Sequence, residues 1–370
     1  MKKERMKSLS EATAILADQI ESPEVHPDRS VTFRLRSRTA ENVSVWIDGD
    51  SIELSVRHGI WSGRTQPLPP GVHDYSLDVD GTRMIDPSNR SVKKWFTLTS
   101  MVEVPGDPPR VTEFCDVPHG MVSRCYYRSE SANGAQRPVV VYTPPGFDFS
   151  NQSECPILFL LHGYGDDETA WTEVGRAHLI ADNLIASKRT RPCLIVMPNG
   201  HPVPAPYGMR PPQYFEDNAR LCQQDLSQDL HPWLQSEFGA ARDPENCFVA
   251  GLSMGGGQAI HVGLSDLNTF GAIGAFSPAP PLMEISDLEE LYPGITGADP
   301  AANQLAEFWL PIGRDDFLLE RCRNFSGQLT ERGVRHQLEL VEGGHDWTVW
   351  RNALEQFLLR IVPASSDPPD

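Results

Sequence analysis

The chain has 370 residues, 39% of them hydrophobic, and a formal net charge of −18 from 50 acidic and 32 basic residues. That length suits two domains better than one. The acidic excess argues against nucleic acid as a partner, since neutralising phosphate takes clustered Lys and Arg. No run of about 18 apolar residues occurs, so neither a membrane-spanning helix nor a membrane partner is expected.

Residues 1–22 read as a polar helix or loose leader. Met1-Lys2-Lys3-Glu4-Arg5 resembles the basic start of a signal peptide, but Lys7, Glu11 and Asp18 break up the apolar stretch that should follow. No signal peptide is assigned, and the compartment stays open between cytoplasmic and secreted or periplasmic. Residues 23–105 carry short alternating segments, including 31–35, 43–47, 52–54, 60–63, 75–79 and 82–84. Turn chemistry separates them, notably Asp48-Gly49, Pro70-Gly71 and the hairpin signal Asp80-Gly81. Many short strands over such a length predict a small all-β sandwich. The linker Pro105-Gly106-Asp107-Pro108-Pro109 closes it.

Residues 106–361 have a different grain. Apolar runs at 139–142, 156–161, 193–197, 248–250, 272–276, 308–312 and 337–341 read as strands. Helical stretches near 175–187, 219–237, 255–265, 317–332 and 348–361 fall between most of them. This alternation predicts an α/β domain with a mostly parallel sheet covered on both faces. Residues 362–370 read as a tail. The seven cysteines are scattered without a C-x-x-C pair, so free thiols are the default; Cys115–Cys125 is the pair to test for a bond.

The candidate chemistry centres on Gly251-Leu252-Ser253-Met254-Gly255, between a strand and a helix. The G-x-S-x-G pattern places a serine on a strained turn, with glycines where neighbouring chain must pass closely. A serine hydroxyl needs a base to become a nucleophile. His345, in Gly343-Gly344-His345-Asp346, follows the last strand and can lean over the sheet edge. The acid that orients such a base is Asp315 or Asp316, after the 308–312 strand, and Asp316 fits a G-x-x-D spacing from Gly313. The backbone N–H groups of Met254 and of Tyr164, in His162-Gly163-Tyr164, are the candidate oxyanion donors. His162 itself reads as a packing and hydrogen-bonding residue, and Asp166-Asp167-Glu168 as a solvated loop or helix start. No metal motif is present, and no metal or other cofactor is expected.

Leu160-Leu161-His162-Gly163, Trp171, Gly175-Arg176-Ala177, Ile180 to Ala186, Met197-Pro198-Asn199-Gly200, the serine motif and Gly344 to Arg351 together resemble carbohydrate esterase family one. That group includes feruloyl and acetylxylan esterases and, more distantly, siderophore esterases and mycolyl transferases. The resemblance implies an α/β-hydrolase fold and a serine esterase acting through Ser253, Asp316 and His345. The implied partner is an ester-bearing oligosaccharide or a small aromatic ester. Val31 to Leu35 and Asp86-Pro87-Ser88-Asn89 resemble the immunoglobulin-like, family-48 carbohydrate-binding modules that precede such esterases. Glycan binding there needs exposed aromatics, and Trp46 and Trp61 lie on strands where core packing competes. The long loops after Gly200 and after Phe276 depart from the family pattern and are where specificity is expected. Trp171, Tyr207, Tyr214 and Trp347 are the candidate substrate contacts. The oligomeric state is open, a homodimer being compatible. Rival readings are a siderophore or other aromatic ester hydrolase, acyl transfer to a sugar, and a glycan-binding protein with an idle hydrolase domain.

Overall fold

The computed structural model describes residues 20–149, 155–203, 214–279, 288–297 and 299–364. Most of the expected leader, the end of the tail and Tyr207 therefore lie outside the described residues. The chain divides into two units between Pro108 and Pro109.

The N-terminal unit holds β1 (Glu24–Val25), β2 (Val31–Arg36), β3 (Val43–Ile47), β4 (Asp50–Glu53), β5 (Ser55–Arg57), β6 (Ile60–Arg64), β7 (Gly71–Val79), β8 (Thr82–Met84), β9 (Val92–Lys94) and β10 (Leu98–Val104). One sheet runs β1-β2-β6-β5; the other runs β4-β3-β7-β10-β9, with β8 beside β7. All pairings are antiparallel. Alternate residues point inward, so Val31, Phe33 and Leu35 pack with Val43, Val45, Ile47, Trp61, Tyr75 and Leu77 in one core, consistent with a β-sandwich. Two-residue loops join β3 to β4, β5 to β6 and β7 to β8. In each, both residues have positive φ: Asp48-Gly49 (51°, 92°), His58-Gly59 (53°, 74°) and Asp80-Gly81 (51°, 83°). That is type I′ geometry, whose twist matches the strands.

The Asp86-Pro87-Ser88-Asn89 motif proves internal to this unit. Asp86 is fully buried and accepts from Ser22 Oγ (2.7 Å), Tyr75 Oη (2.9 Å) and the Ser88 N–H (2.8 Å). Trp61 is a core side chain, while Trp46 faces outward with the Arg83 guanidinium over its ring at 4.6 Å.

In the C-terminal unit, β11 (Met121–Ser129), β12 (Ala135–Thr143), β13 (Ile157–Leu161), β14 (Leu194–Pro198), β15 (Cys247–Leu252), β16 (Ala272–Phe276), β17 (Glu307–Gly313) and β18 (Gln337–Val341) form one sheet. Its order is β11-β12-β14-β13-β15-β16-β17-β18. The two pairings of β12 are antiparallel and the rest are parallel. Strands β13 to β16 are buried at every position, as strands covered on both faces must be. Helices Ala177–Ala186, Met254–Ser265, Leu319–Glu331 and Trp347–Ile361 follow β13, β15, β17 and β18. The long helical region before β15 is Tyr214–Gln224, a π-helical stretch Asp225–Leu230, and His231–Phe238. Strand β11, which periodicity did not mark, is an edge strand with mostly exposed positions, apolar Met121, Val122 and Tyr126 among them. Cys115 and Cys125 are both free thiols. No helix among the described residues is long and apolar enough to cross a membrane.

This strand order has a switch point. β13 has β14 on one side and β15 on the other, so successive connections leave it in opposite directions. A crevice opens outside the carboxyl ends of strands at such a point. The turns after β13 and β15 meet there, in register Leu161↔Gly251. The loops after β17 and β18 meet at the same sheet edge, in register Gly313↔Val341.

Candidate active site

Ser253 joins β15 to the helix Met254–Ser265 with φ 51° and ψ −114°, a sparsely populated region for a side-chain-bearing residue. Its N–H donates to Phe276 O (2.9 Å), and its carbonyl accepts from Gly257 N–H (3.0 Å) and Ala279 N–H (2.8 Å). The flanking glycines are required by contact. A Cβ on Gly251 would lie 2.5 Å from the Gly255 carbonyl, and one on Gly255 would lie 2.5 Å from the carbonyl oxygens of Leu161 and His162. Strand, helix and the β13 turn therefore touch backbone to backbone.

His345 Nε2 lies 3.0 Å from Ser253 Oγ, and His345 Nδ1 lies 2.9 Å from Asp316 Oδ2. The carboxylate accepts from Nδ1–H, which leaves Nε2 free to take a proton from the hydroxyl. Asp316 Oδ1 also accepts from the Leu318 N–H at 2.8 Å. Burial pushes the Asp316 carboxyl up, but the hydrogen bonds from His345 and the Leu318 N–H outweigh it and hold the group below the usual carboxylate range. Of the two adjacent aspartates, Asp316 is buried against the imidazole while Asp315 is exposed, its N–H bonded to Gly343 O (3.0 Å). The His345 loop is fixed by Asp346, which accepts from Thr348 and Val349 N–H as the N-cap of the following helix and from Gly344 N–H at 3.1 Å.

The two other histidines that follow Ser253 in the chain are committed elsewhere. His261 bonds Tyr292 Oη (3.1 Å), and burial lowers its pKa to about 4. His336, which also follows Ser253 in the chain, bonds Ser326 Oγ (2.7 Å) just before β18, at the opposite end of the sheet.

Met254 is the first residue of its helix, so its N–H has no acceptor within that helix. Tyr164 follows Gly163, whose carbonyl is held by His162. Nε2 of His162 accepts from Gly200 N–H (2.7 Å), which puts the ring proton on Nδ1, donating to Gly163 O (2.8 Å). Burial lowers the His162 pKa, so the ring stays neutral. A trans peptide points its C=O and N–H in opposite directions. The bond to Gly163 O therefore sets the aim of the Tyr164 N–H. The Asn199-Gly200 turn braces this loop twice, since Asn199 Nδ2 also donates to Glu168 Oε2 (3.0 Å). Gly200 O accepts in turn from Asn218 and Gln258, each at 2.8 Å. Asp166-Asp167-Glu168, expected as a solvated loop or helix start, does lead into the short helix Ala170–Glu173, but Glu168 is buried and paired with Arg124.

Burial redirects the expected substrate contacts. Trp171 is 1% exposed, donates Nε1–H to Leu161 O (2.9 Å) and packs edge-on against Trp347 at 5.2 Å. Trp347 is 8% exposed and packs against Trp350. Tyr214 is 1% exposed and bonded to His201 Nδ1 (2.6 Å). These three rings are packed into the fold, not presented to solvent. Among the described residues, aromatic rings beside the site that reach solvent include Tyr164, Phe215 and Phe317. Among the described residues, no group of three or more His, Cys, Asp or Glu side chains is arranged to hold a metal ion.

Comparison with known proteins gives the family and the fold. The profile of the family described as "Putative esterase" matches residues 129–361. An endo-1,4-beta-xylanase/feruloyl esterase of Xylanibacter ruminicola is 30% identical over 266 residues, covering 70% of this chain and 36% of that protein's length. The chain thus spans about a third of that curated relative. The solved structure of a ferulic acid esterase superposes with a TM-score of 0.55 at 26% identity, over 67% of this chain and 99% of that one. An enterobactin esterase from Shigella flexneri superposes with a TM-score of 0.64 at 19% identity, over 90% of this chain and 92% of that one, a likeness of fold.

Proposed function

Because the chain belongs to the putative-esterase family, we propose that it is a serine carboxylic-ester hydrolase working through Ser253, His345 and Asp316. Support comes above all from one observation: hydroxyl, imidazole and buried carboxylate form a continuous hydrogen-bonded chain at the carboxyl edge of the sheet. His345 Nε2 takes the proton of Ser253 as Oγ attacks the ester carbonyl. The developing oxyanion is received by the N–H groups of Met254 and Tyr164. His345 then protonates the leaving alcohol, and water hydrolyses the acyl-enzyme with the same imidazole as base. Asp316 stabilises the imidazolium at each transfer.

The substrate class that the relatives favour is a hydroxycinnamoyl (ferulic) or acetyl ester on a plant polysaccharide, such as feruloylated xylan. An endo-1,4-beta-xylanase/feruloyl esterase is 30% identical over 70% of the chain, and a ferulic acid esterase superposes over 67% of it. A second reading, a siderophore trilactone, is favoured by the greater reach of the enterobactin esterase superposition. Methyl ferulate, acetylated xylan and an enterobactin-like lactone, assayed side by side, separate them. The decisive variant is Ser253→Ala, expected to abolish turnover while the protein stays folded. Full activity in that variant refutes the mechanism. A parent inactive on every ester that still binds glycan leaves the idle-hydrolase alternative.

A further inference from the structure

We propose that Phe317 is the platform on which the alcohol moiety of the ester rests, and that this moiety presents an apolar face of the kind a sugar ring carries. The inference rests on the serine-esterase reading above and names the leaving-group side of the same site. Whatever the acyl group, the proton that His345 Nε2 takes from Ser253 must pass to the alcohol oxygen. That oxygen has to come within about 3 Å of Nε2, which sets the rest of the alcohol beside the imidazole. Two aromatic rings flank it there. Trp350 stands edge-on at 5.0 Å and is buried. Phe317 lies at 4.5 Å, tilted by 52°, and is 76% exposed.

So exposed a ring adds little to the core, yet the backbone that carries it is tightly set. On its N-terminal side, Arg314 N–H donates to Val341 O (2.9 Å), Asp315 N–H to Gly343 O (3.0 Å) and Asp316 N–H to Gly313 O (3.2 Å). On its C-terminal side, Leu318 N–H donates to Asp316 Oδ1 (2.8 Å) and Leu319 N–H to Asp316 O (3.0 Å). The same carboxylate that holds His345 therefore holds the backbone under Phe317. An aromatic face carried on a held backbone beside the imidazole can take up the C–H face of a sugar with a low backbone ordering cost. It offers no hydrogen-bond donor or acceptor, so it selects an apolar surface rather than a charged or amide-rich one. A methyl alcohol, one carbon long, is too short to cover the ring.

The test holds the acyl group constant and varies the alcohol: methyl ferulate against feruloylated arabinose, and methyl acetate against acetylated xylo-oligosaccharide. Phe317→Ala is expected to lose about five- to tenfold in kcat/KM on the sugar esters, mainly through KM, and to stay within twofold on the methyl esters. Phe317→Tyr should restore the sugar esters. Equal losses on both alcohols would assign the ring to propping the imidazole and overturn the proposal. No loss on either overturns it as well. A wild type that cleaves methyl esters without preferring sugar esters refutes the platform and leaves the esterase reading standing. A wild type inactive on every ester removes that reading, and this one with it. Melting curves of both variants, expected to match the wild type at so exposed a position, exclude unfolding as the cause.

Discussion

Replacing Gly255 by alanine adds one methyl where the structure has no room for it. The new Cβ would sit 2.5 Å from both Leu161 O and His162 O, and 2.7 Å from Leu161 C. These are backbone atoms, so no side-chain rotation relieves them. Ordinary contact begins at 3.4 Å, so the helix start and the β13 turn must part by about 0.9 Å. The first carries the Met254 N–H and the second the Tyr164 N–H, so their separation opens the proposed oxyanion site directly. Misplacement by about 1 Å costs on the order of 10²-fold in rate, and overpacking a tight interior costs about 1–3 kcal/mol. Gly255→Ala should therefore lower kcat about a hundredfold on an activated ester. Its melting temperature should fall by about 2–4 °C per kcal/mol lost. Gly327→Ala is the control: it lies in the helix Leu319–Glu331 with no atom within 4 Å of the added Cβ. It should leave kcat unchanged and stabilise by up to about 1 kcal/mol through helix propensity. A Gly255→Ala enzyme with kcat within twofold of wild type and an unshifted melting curve would refute the close-approach argument.

His162→Phe preserves a ring of similar size but loses the bonds to Gly163 O and from Gly200 N–H. Steady-state kinetics should give a kcat about 10–10²-fold lower with KM nearly unchanged; a raised KM at full kcat would count against a role in aiming the Tyr164 amide. Asp316→Asn should cost up to about 10⁴-fold in kcat, because an amide can stabilise the wrong imidazole tautomer. It should also change the acid limb of stability. The Asp316 carboxyl is held below its ordinary value of 3.8, so its contribution is present above that pH and is lost as pH falls through the lowered folded-state value. Melting curves of wild type and Asp316→Asn should differ at neutral pH and converge in acid; a constant gap across the range would mean that ionised Asp316 contributes nothing.

What could be read from the sequence follows from how far apart the interacting residues lie. Strands β13 to β16 were legible because both faces are buried, which forces an unbroken apolar run. β11 was not, because at this edge Met121, Val122 and Tyr126 are exposed while Ser129 is buried, which scrambles the apolar–polar alternation. Asp-Gly pairs marked two of the I′ hairpins, but His58-Gly59 carries no such mark: the His58 φ of 53° is imposed by the β5–β6 pairing. At the site, Ser253 and His345 stood out because each follows a strand beside glycines. Between Asp315 and Asp316 the sequence offers only the G-x-x-D spacing from Gly313, which favours Asp316. The structure separates them by register: the Asp315 N–H bonds to the His345 loop, while the Asp316 carboxylate turns inward to the imidazole. Glu168 was invisible as a buried residue, since its partners Asn199 and Arg124 lie 31 and 44 positions away.

The same reasoning explains why the five residues around Ser253 are weak evidence on their own. A non-glycine residue with φ near +51° costs about 1–3 kcal/mol. Three backbone hydrogen bonds to Ser253 offset this, each contributing about 0.5–1.5 kcal/mol net. Only the one from Gly257 is local. The partners Phe276 and Ala279 belong to β16 and the chain just beyond it, which reach Ser253 only because β16 pairs in parallel with β15, with Leu252 opposite Phe276. A G-x-S-x-G segment without such a neighbour would relax to an ordinary turn, its hydroxyl aimed nowhere in particular. It is the parallel sheet that turns a glycine-flanked serine into a held, outward-pointing hydroxyl, and the next strand pair along, β17 and β18, supplies the imidazole and carboxylate from loops in register with it.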